Sequence, residues 1–323
     1  MTAPEIDPVV ESTAADIAEM RIRGAATIAD AAAEALATQA RRTNVTDPEA
    51  FRAELRVAAR TLYETRPTAV SLPNALRYVL RGMAGETVSQ LQATTIEQAE
   101  VFQRDLADAQ ATLGEVGANR LRDGDVVMTH CHSTDALACI EAALEAGKSL
   151  EAIVRETRPR NQGHITASQL REWGVPVTLL VDNAARRYLD QVDHVLVGAD
   201  SIAADGSVIN KIGTSGLAVC ARERGVPVMV AAQTIKLHPD TMTGHTVEIE
   251  MRAEHEVVGD HERTEIGTEP DDEDLQVENP AFDVTPPRHV DAIVTERGQF
   301  PPESIVTLMR DLFGETTGEP WEP

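Results

Sequence analysis

Cys131 and Asp200 are the side chains whose type and setting best suit proton transfer. Cys131 closes an apolar run in Thr129-His130-Cys131-His132-Ser133-Thr134-Asp135, and a helical pattern follows in which Ser133, Thr134 or Asp135 can act as N-cap. Free amides at a helix start bind anions, and a thiol beside such amides and nearby cations has its pKa lowered. Asp200 follows the apolar run His194-Val195-Leu196-Val197-Gly198. A carboxylate there is costly to bury in its charged form, which lifts its pKa toward the range of a general acid. Lys211, after Val208-Ile209-Asn210, and Lys236, shortly after Val228-Met229-Val230-Ala231, place an ammonium near the end of a strand-like run. Open α/β sheets bind ligands at that end of their strands, and an ammonium is a point charge for phosphate. Plainer roles stand beside these: a small core cysteine at 131, or a cap at Asp200 for the turn marked by Asp205-Gly206. Cys139 and Cys220 lie inside helical patterns and read as packing residues. His130-Cys131-His132 has no second ligand cluster at useful spacing, so no metal site is expected.

Lysine is scarce enough to make each one informative. Only Lys148, Lys211 and Lys236 occur among 29 basic residues, against 53 acidic ones, for a formal charge of −24. That balance excludes a nucleic-acid binder, which needs a basic footprint. An acidic, lysine-poor surface is one route to solubility in concentrated salt, and the acid is spread along the chain, with one dense run at 269–278. Lys148, at the end of a helical pattern, reads as an ordinary exposed cation. Three cysteines without a CxxC pair suit a reducing compartment, and there is no basic n-region, no apolar h-region and no apolar run near the roughly 18 residues of a membrane span. A cytoplasmic, salt-adapted protein is expected, with neither a nucleic-acid nor a membrane partner.

The elements that must position these residues fall into two textures. Residues 1–121 read as a helical domain, with helical spacing over 14–20, 25–40, 48–62, 73–80 and 95–113 and a break at Pro67 to Pro73. From Arg122-Asp123-Gly124-Asp125 onward, residues 122–323 alternate short β-branched runs with helices. Strands are expected at 126–130, 153–156, 177–181, 194–197, 226–231 and 292–295, and helices at 135–146, 166–173, 184–190 and 213–224. Continuously apolar strands joined by helices imply a parallel sheet covered on both faces, a Rossmann-like α/β fold, with an acidic excursion at about 243–288. No GxGxxG follows the first strand and no Walker A is present, so the sheet binds something other than a dinucleotide. Gly213-Thr214-Ser215-Gly216 opens a helix and offers a second phosphate cradle. Arg23, Arg66, Arg158 and Arg160 lie beside Gly or Pro in loops, where a guanidinium suits fixed contacts with phosphate.

Five segments taken together resemble one family: RGAATI (Arg23 to Ile28), THCHS (Thr129 to Ser133), ETRPRNQG (Glu156 to Gly163), VGADSIAADGSVINKIGT (Val197 to Thr214) and NPAFDVTP (Asn279 to Pro286). The family joins methylthioribose-1-phosphate isomerase, archaeal ribose-1,5-bisphosphate isomerase and the regulatory subunits of translation initiation factor 2B. The resemblance implies a helical N-terminal domain followed by a Rossmann-like domain, assembled into homo-oligomers built on dimers, up to hexamers. It implies Cys131 and Asp200 as the catalytic pair, which sets the chain apart from the regulatory subunits. It also implies substrate contacts at Arg23, Gly24, Ala25 and Ala26, phosphate binding by Arg66, and further contacts at Ser133, Thr134, Gln162, Asn210, Lys211 and Lys236. RGAA here replaces the RGAP of many methylthioribose enzymes, so the contact geometry of Ala26 does not carry over. The activity implied is conversion of ribose 1,5-bisphosphate to ribulose 1,5-bisphosphate without a cofactor, Cys131 as base and Asp200 as acid. A hydride shift is the mechanistic alternative, and methylthioribose 1-phosphate the rival substrate. AMP, as activator or upstream metabolite, is implied by the same resemblance.

Overall fold

Alanine and leucine at helical spacing build the first part of the chain into helices near where the periodicity predicts, except that the first spans Pro8–Ala18 rather than 14–20 because Asp7 and Pro8 start it early. The computed structural model describes residues 5–22, 24–66, 69–269, 274–313 and 321. The helices are α1 (Pro8–Ala18), α2 (Ala25–Arg42), α3 (Pro48–Tyr63), α4 (Ser71–Arg81) and α5 (Val88–Ala118). Asp7 and Asp47 cap α1 and α3 by accepting from Val9 N and Ala50 N, and a proline follows each cap. Their apolar faces meet in one core that includes Leu36, Phe51, Leu55, Leu62, Leu72 and Leu76.

The rest supplies strands β1 (Val126–His130), β2 (Glu151–Arg155), β3 (Val177–Leu180), β4 (His194–Val197), β5 (Ser201–Ala203), β6 (Val208–Lys211), β7 (Val228–Ala231), β8 (Leu237–His238), β9 (Phe282–Thr285), β10 (Ala292–Thr295) and β11 (Gly298–Phe300). Helices α6 (Thr134–Glu145), α7 (Gly163–Glu172), α8 (Ala185–Tyr188), α9 (Thr214–Arg224), α10 (Asp260–Ile266) and α11 (Ile305–Phe313) connect or follow them. The main sheet runs β11-β10-β7-β4-β1-β2-β3, parallel from β10 through β3, with β11 antiparallel at one edge. The six predicted strands are its parallel members. The predicted crossover helix at 184–190 is only the short α8 flanked by 3-10 turns.

Five strands, β5, β6, β8, β9 and β11, were not among those six. β5 and β6 form an antiparallel hairpin closed by Asp205-Gly206, and β9 from the acidic excursion pairs with β6, Lys211 opposite Phe282. The excursion therefore returns a strand to the fold rather than only looping out.

The chain divides into two compact units. One comprises residues up to Gln110, Thr234–His238 and the end of the chain from Arg310; the other comprises Ala111–Gln233 and Pro239–Met309. The composition changes at residue 122, just before β1, whereas the packing divides within α5. The last turns of α5 belong to the second unit, where a side chain at Gly117 would collide with Cys139. Cys139 is fully buried, as its packing role requires. Lys148 is not the exposed cation expected: its ammonium donates to the carbonyls of Ala118 and Leu121, at 2.7 and 2.8 Å, and ties down the end of α5.

Candidate active site

The strand order fixes where ligand must enter. After β1 the chain moves outward through β2 to β3; after β4, the other neighbour of β1, it moves outward through β7 to β10. The loops leaving β1 and β4 thus diverge, and the crevice outside their carboxyl ends is the topological switch point of a doubly wound sheet. Cys131 is the first residue after β1, and Asp200 lies three residues beyond β4. Lys211, at the end of β6, interacts electrostatically with both. Gly198 makes the close approach possible, because any side chain there would strike Ser133.

Cys131 adopts the left-handed backbone conformation, φ 68°, which a non-glycine residue takes only under constraint. Its N–H donates to Thr157 Oγ1 at 2.8 Å, and its carbonyl accepts from Thr166 Oγ1 at 2.8 Å. Ser133 is the N-cap of α6, its hydroxyl accepting from Ala136 N, and Thr134 opens the helix on its exposed side. The thiol is not made more acidic, contrary to expectation. Burial pushes its pKa up to about 11, outweighing the backbone amide of His132 and the charge of Lys211, which both pull it down. Asp200 also departs from expectation: the chain has turned past the end of β4 before reaching it, so the residue is exposed rather than buried. Its backbone N–H donates to Ile209 O, which locks the start of the hairpin.

Lys211 and Asn210 are buried. Burial lowers the Lys211 pKa, opposed by its attraction to Cys131 and Asp200, and the ammonium lies 4.7 Å from the centre of the Phe282 ring. Asn210 donates to Thr214 Oγ1, which donates to Lys211 O, so the pair is stiffened by its own loop. Gln162 sits at the start of α7, where Gly163 is required because any side chain would collide with the Arg155 carbonyl. Cys131, Ser133, Thr134, Gln162, Asp200, Asn210 and Lys211 all belong to the second unit.

Gly24, Ala25, Ala26, Arg66 and Lys236 belong to the first unit; Arg23 lies outside the described residues. Gly24 has φ 88° and no side chain with which to cap α2, and Ala25 and Ala26 form the first turn. Arg66 is partly buried after α3. Lys236 sits in a 3-10 turn held from within the same unit: Asn74 Nδ2 donates to the carbonyls of Ile235 and Leu237, at 2.8 and 2.7 Å.

Two cradles suggested by the sequence are already occupied. Asp283 accepts from Gly213 N and Ser215 N at the start of α9, so those amides hold a protein carboxylate. Arg160 pairs with Glu256 at 2.6 Å. Sequence reasoning also missed a buried layer beneath the site. His130 Nε2 donates to Ile212 O at 2.8 Å, Arg155 Nη1 donates to Gly213 O at 2.7 Å, and Asp182 accepts from Thr157 N and Arg158 N. Burial, reinforced by Arg155, drops the His130 pKa to about 4, so the ring stays neutral. The only sequence signal of this layer was a polar residue inside or just after an apolar run.

A doubly wound sheet with a thiol, a carboxylate and an ammonium at its switch point is the architecture of an α/β protein with a polar ligand crevice. The model of the Initiation factor 2 subunit family matches residues 21–302, and the chain belongs to that family. A protein of Haloterrigena turkmenica called ribose 1,5-bisphosphate isomerase is 76% identical over 99% of this chain and 98% of its own length. One of Haloferax volcanii with the same name is 70% identical over 98% and 96%. Among solved structures, 5-methylthioribose 1-phosphate isomerase from Pyrococcus horikoshii OT3 superposes with a TM-score of 0.73 at 31% identity, covering 94% of this chain and 87% of that one. Within the family the chain is thus an enzyme, an isomerase, and the Haloterrigena and Haloferax relatives agree with its salt-adapted composition.

Proposed function

We propose that the chain isomerises ribose 1,5-bisphosphate to ribulose 1,5-bisphosphate with Cys131 and Asp200 as its acid–base pair. The observation that carries the reading is the convergence of both residues and Lys211 at the switch point of the sheet. The names of the 76% and 70% identical relatives supply the substrate.

A sugar phosphorylated on its anomeric oxygen cannot open to a free aldehyde, so ring opening needs a proton at the ring oxygen and removal of the C2 proton. Asp200 gives the first and Cys131, as thiolate, takes the second, leaving a C1=C2 enol phosphate; Asp200, now a carboxylate, takes the C2 hydroxyl proton as the Cys131 thiol returns its proton to C1, which gives the ketone and restores the starting pair. The buried thiol holds its proton at rest, so the mechanism requires that proton to pass to Asp200, with Lys211 beside both groups. Lys211 stabilises the enolate as its charge develops. Arg23, Gly24, Ala25, Ala26, Arg66, Ser133, Thr134, Gln162, Asn210 and Lys236 complete the proposed contacts with sugar and phosphates. The family resemblance extends the reading to a cytoplasmic homo-oligomer in AMP breakdown, with AMP as activator; added AMP raising kcat/KM checks that part.

The test is a direct assay at high salt with ribose 1,5-bisphosphate and methylthioribose 1-phosphate. The bisphosphate should be preferred, and Cys131→Ser and Asp200→Asn should each lower turnover by at least about 10²-fold with the fold intact. Lys236→Met should weaken the bisphosphate by about 2–3 kcal/mol and affect the monophosphate far less. Preference for methylthioribose 1-phosphate would overturn the substrate assignment, and a Cys131→Ser enzyme of wild-type turnover would favour a hydride shift.

A further inference from the structure

Thr157 is fully buried, comes from the loop after β2, and itself has a left-handed backbone, φ 65°. Thr166 is buried one turn into α7. A buried hydroxyl needs a partner. These two meet opposite ends of one residue: Thr157 Oγ1 accepts the Cys131 N–H, and Thr166 Oγ1 donates to the Cys131 carbonyl, both at 2.8 Å. That residue is Cys131, held in a conformation its own side chain disfavours. The amide of the next residue, His132, bonds the sulfur.

Each hydroxyl is fixed in turn. Thr157 Oγ1 lies 3.1 Å from the Arg155 carbonyl, to which it donates, and 3.2 Å from His130 Nδ1. The Thr157 peptide N–H is anchored on Asp182, the residue opening the turn after β3. Thr166 Oγ1, already donating to the Cys131 carbonyl, accepts from His132 Nδ1 at 3.1 Å. The loop after β1 is therefore pinned through residues supplied by β2, α7 and the start of the turn after β3.

We infer that Thr157 and Thr166 are positioning residues, a pair of hydroxyls that clamp the Cys131 backbone so that its sulfur faces both the His132 amide and the substrate. The inference rests on the reading of Cys131 as the base. Neither threonine touches substrate; both act through Cys131.

The variants are Thr157→Val and Thr166→Val, which keep the shape and delete the hydroxyl, each beside its Thr→Ser counterpart, which keeps the hydroxyl. With ribose 1,5-bisphosphate, each valine variant should lose about 10- to 100-fold in kcat with KM within about 2-fold, the scale of a misplaced reacting group. Each serine variant should recover to within about 3-fold of wild type. In the substrate-free protein, iodoacetamide labelling of Cys131, followed by peptide mass spectrometry with Cys220 as internal reference, should shift to higher pH in the valine variants and return in the serine ones. Should one valine variant fail to fold, the other tests the same clamp from the opposite end. Valine variants with wild-type kcat and an unshifted labelling profile would overturn the clamp while Cys131→Ser remained inactive. An active Cys131→Ser enzyme would instead overturn the parent reading, and the labelling profile would still decide whether the hydroxyls hold the sulfur.

Discussion

At the scale of single residues the proposed mechanism turns on one proton shared between a buried thiol and an exposed carboxylate. Burial lifts the Cys131 pKa from its ordinary 9.0 to about 11, with Asp200 adding to the lift. The thiol proton is retained through the neutral range, and the proposed mechanism requires its transfer to Asp200. We expect kcat/KM to stay level from about pH 8 to pH 10 and to fall near pH 11 as the pair loses that proton. A rise in kcat/KM all the way to pH 11 would show that the thiolate works without a proton on Asp200. The same shift has a stability consequence of definite sign. The folded pKa is raised, so the stabilising contribution is complete below pH 9.0 and is lost as pH rises through about 11. Unfolding measured across that range should show a shallower alkaline loss in Cys131→Ser.

At the scale of elements, the strands deliver the chemistry and the loops after them decide its geometry. The helix start at Gly213 to Ser215 illustrates how a phosphate-like motif can be taken by the protein itself. Asp283, carried by β9, bonds the amides of Gly213 and Ser215, and it is set there by the pairing of Asn210 with Asp283 in the β6–β9 ladder. This cap holds the loop that bears Lys211. Asp283→Ala should therefore cost about 1–2 kcal/mol, the range of a lost helix cap, measured by chemical denaturation at fixed salt. An unchanged midpoint would mean that those amides are satisfied without it.

For the whole molecule, the acidic surface sets the working conditions. All three lysines have been withdrawn from full exposure: Lys211 is buried, and Lys148 and Lys236 are partly so. The exposed cations are arginines, several in ion pairs such as Arg186 with Glu223 and Arg224 with Asp190. Pairs that exposed add little individually, so a net charge of −24 leaves repulsion that counter-ions must screen. The melting temperature and the activity should both rise between about 0.1 M and 2 M KCl as that repulsion is screened. Equal melting temperatures at the two concentrations would remove the salt-adaptation argument.

Periodicity alone determined the helices of the first part and the six parallel strands, because burying one helix stripe or both faces of a strand leaves a local pattern of apolar residues. His194–Val197 and Ala292–Thr295 lie where that pattern places them. Residue type and position after a strand likewise singled out Cys131, Asp200 and Lys211. Strand β9 escaped because its pairing is made with a distant partner, Phe282 with Lys211, and β5 because three residues are too few to show a period, although its hairpin partner is local. The thiol's pKa was misjudged for a similar reason. The sequence shows the helix start beside Cys131, but the desolvation that outweighs its amide comes from burial in the folded chain. The hydroxyls of Thr157 and Thr166 lie 26 and 35 residues from Cys131 in sequence, and only the assembled sheet brings them to its two peptide groups.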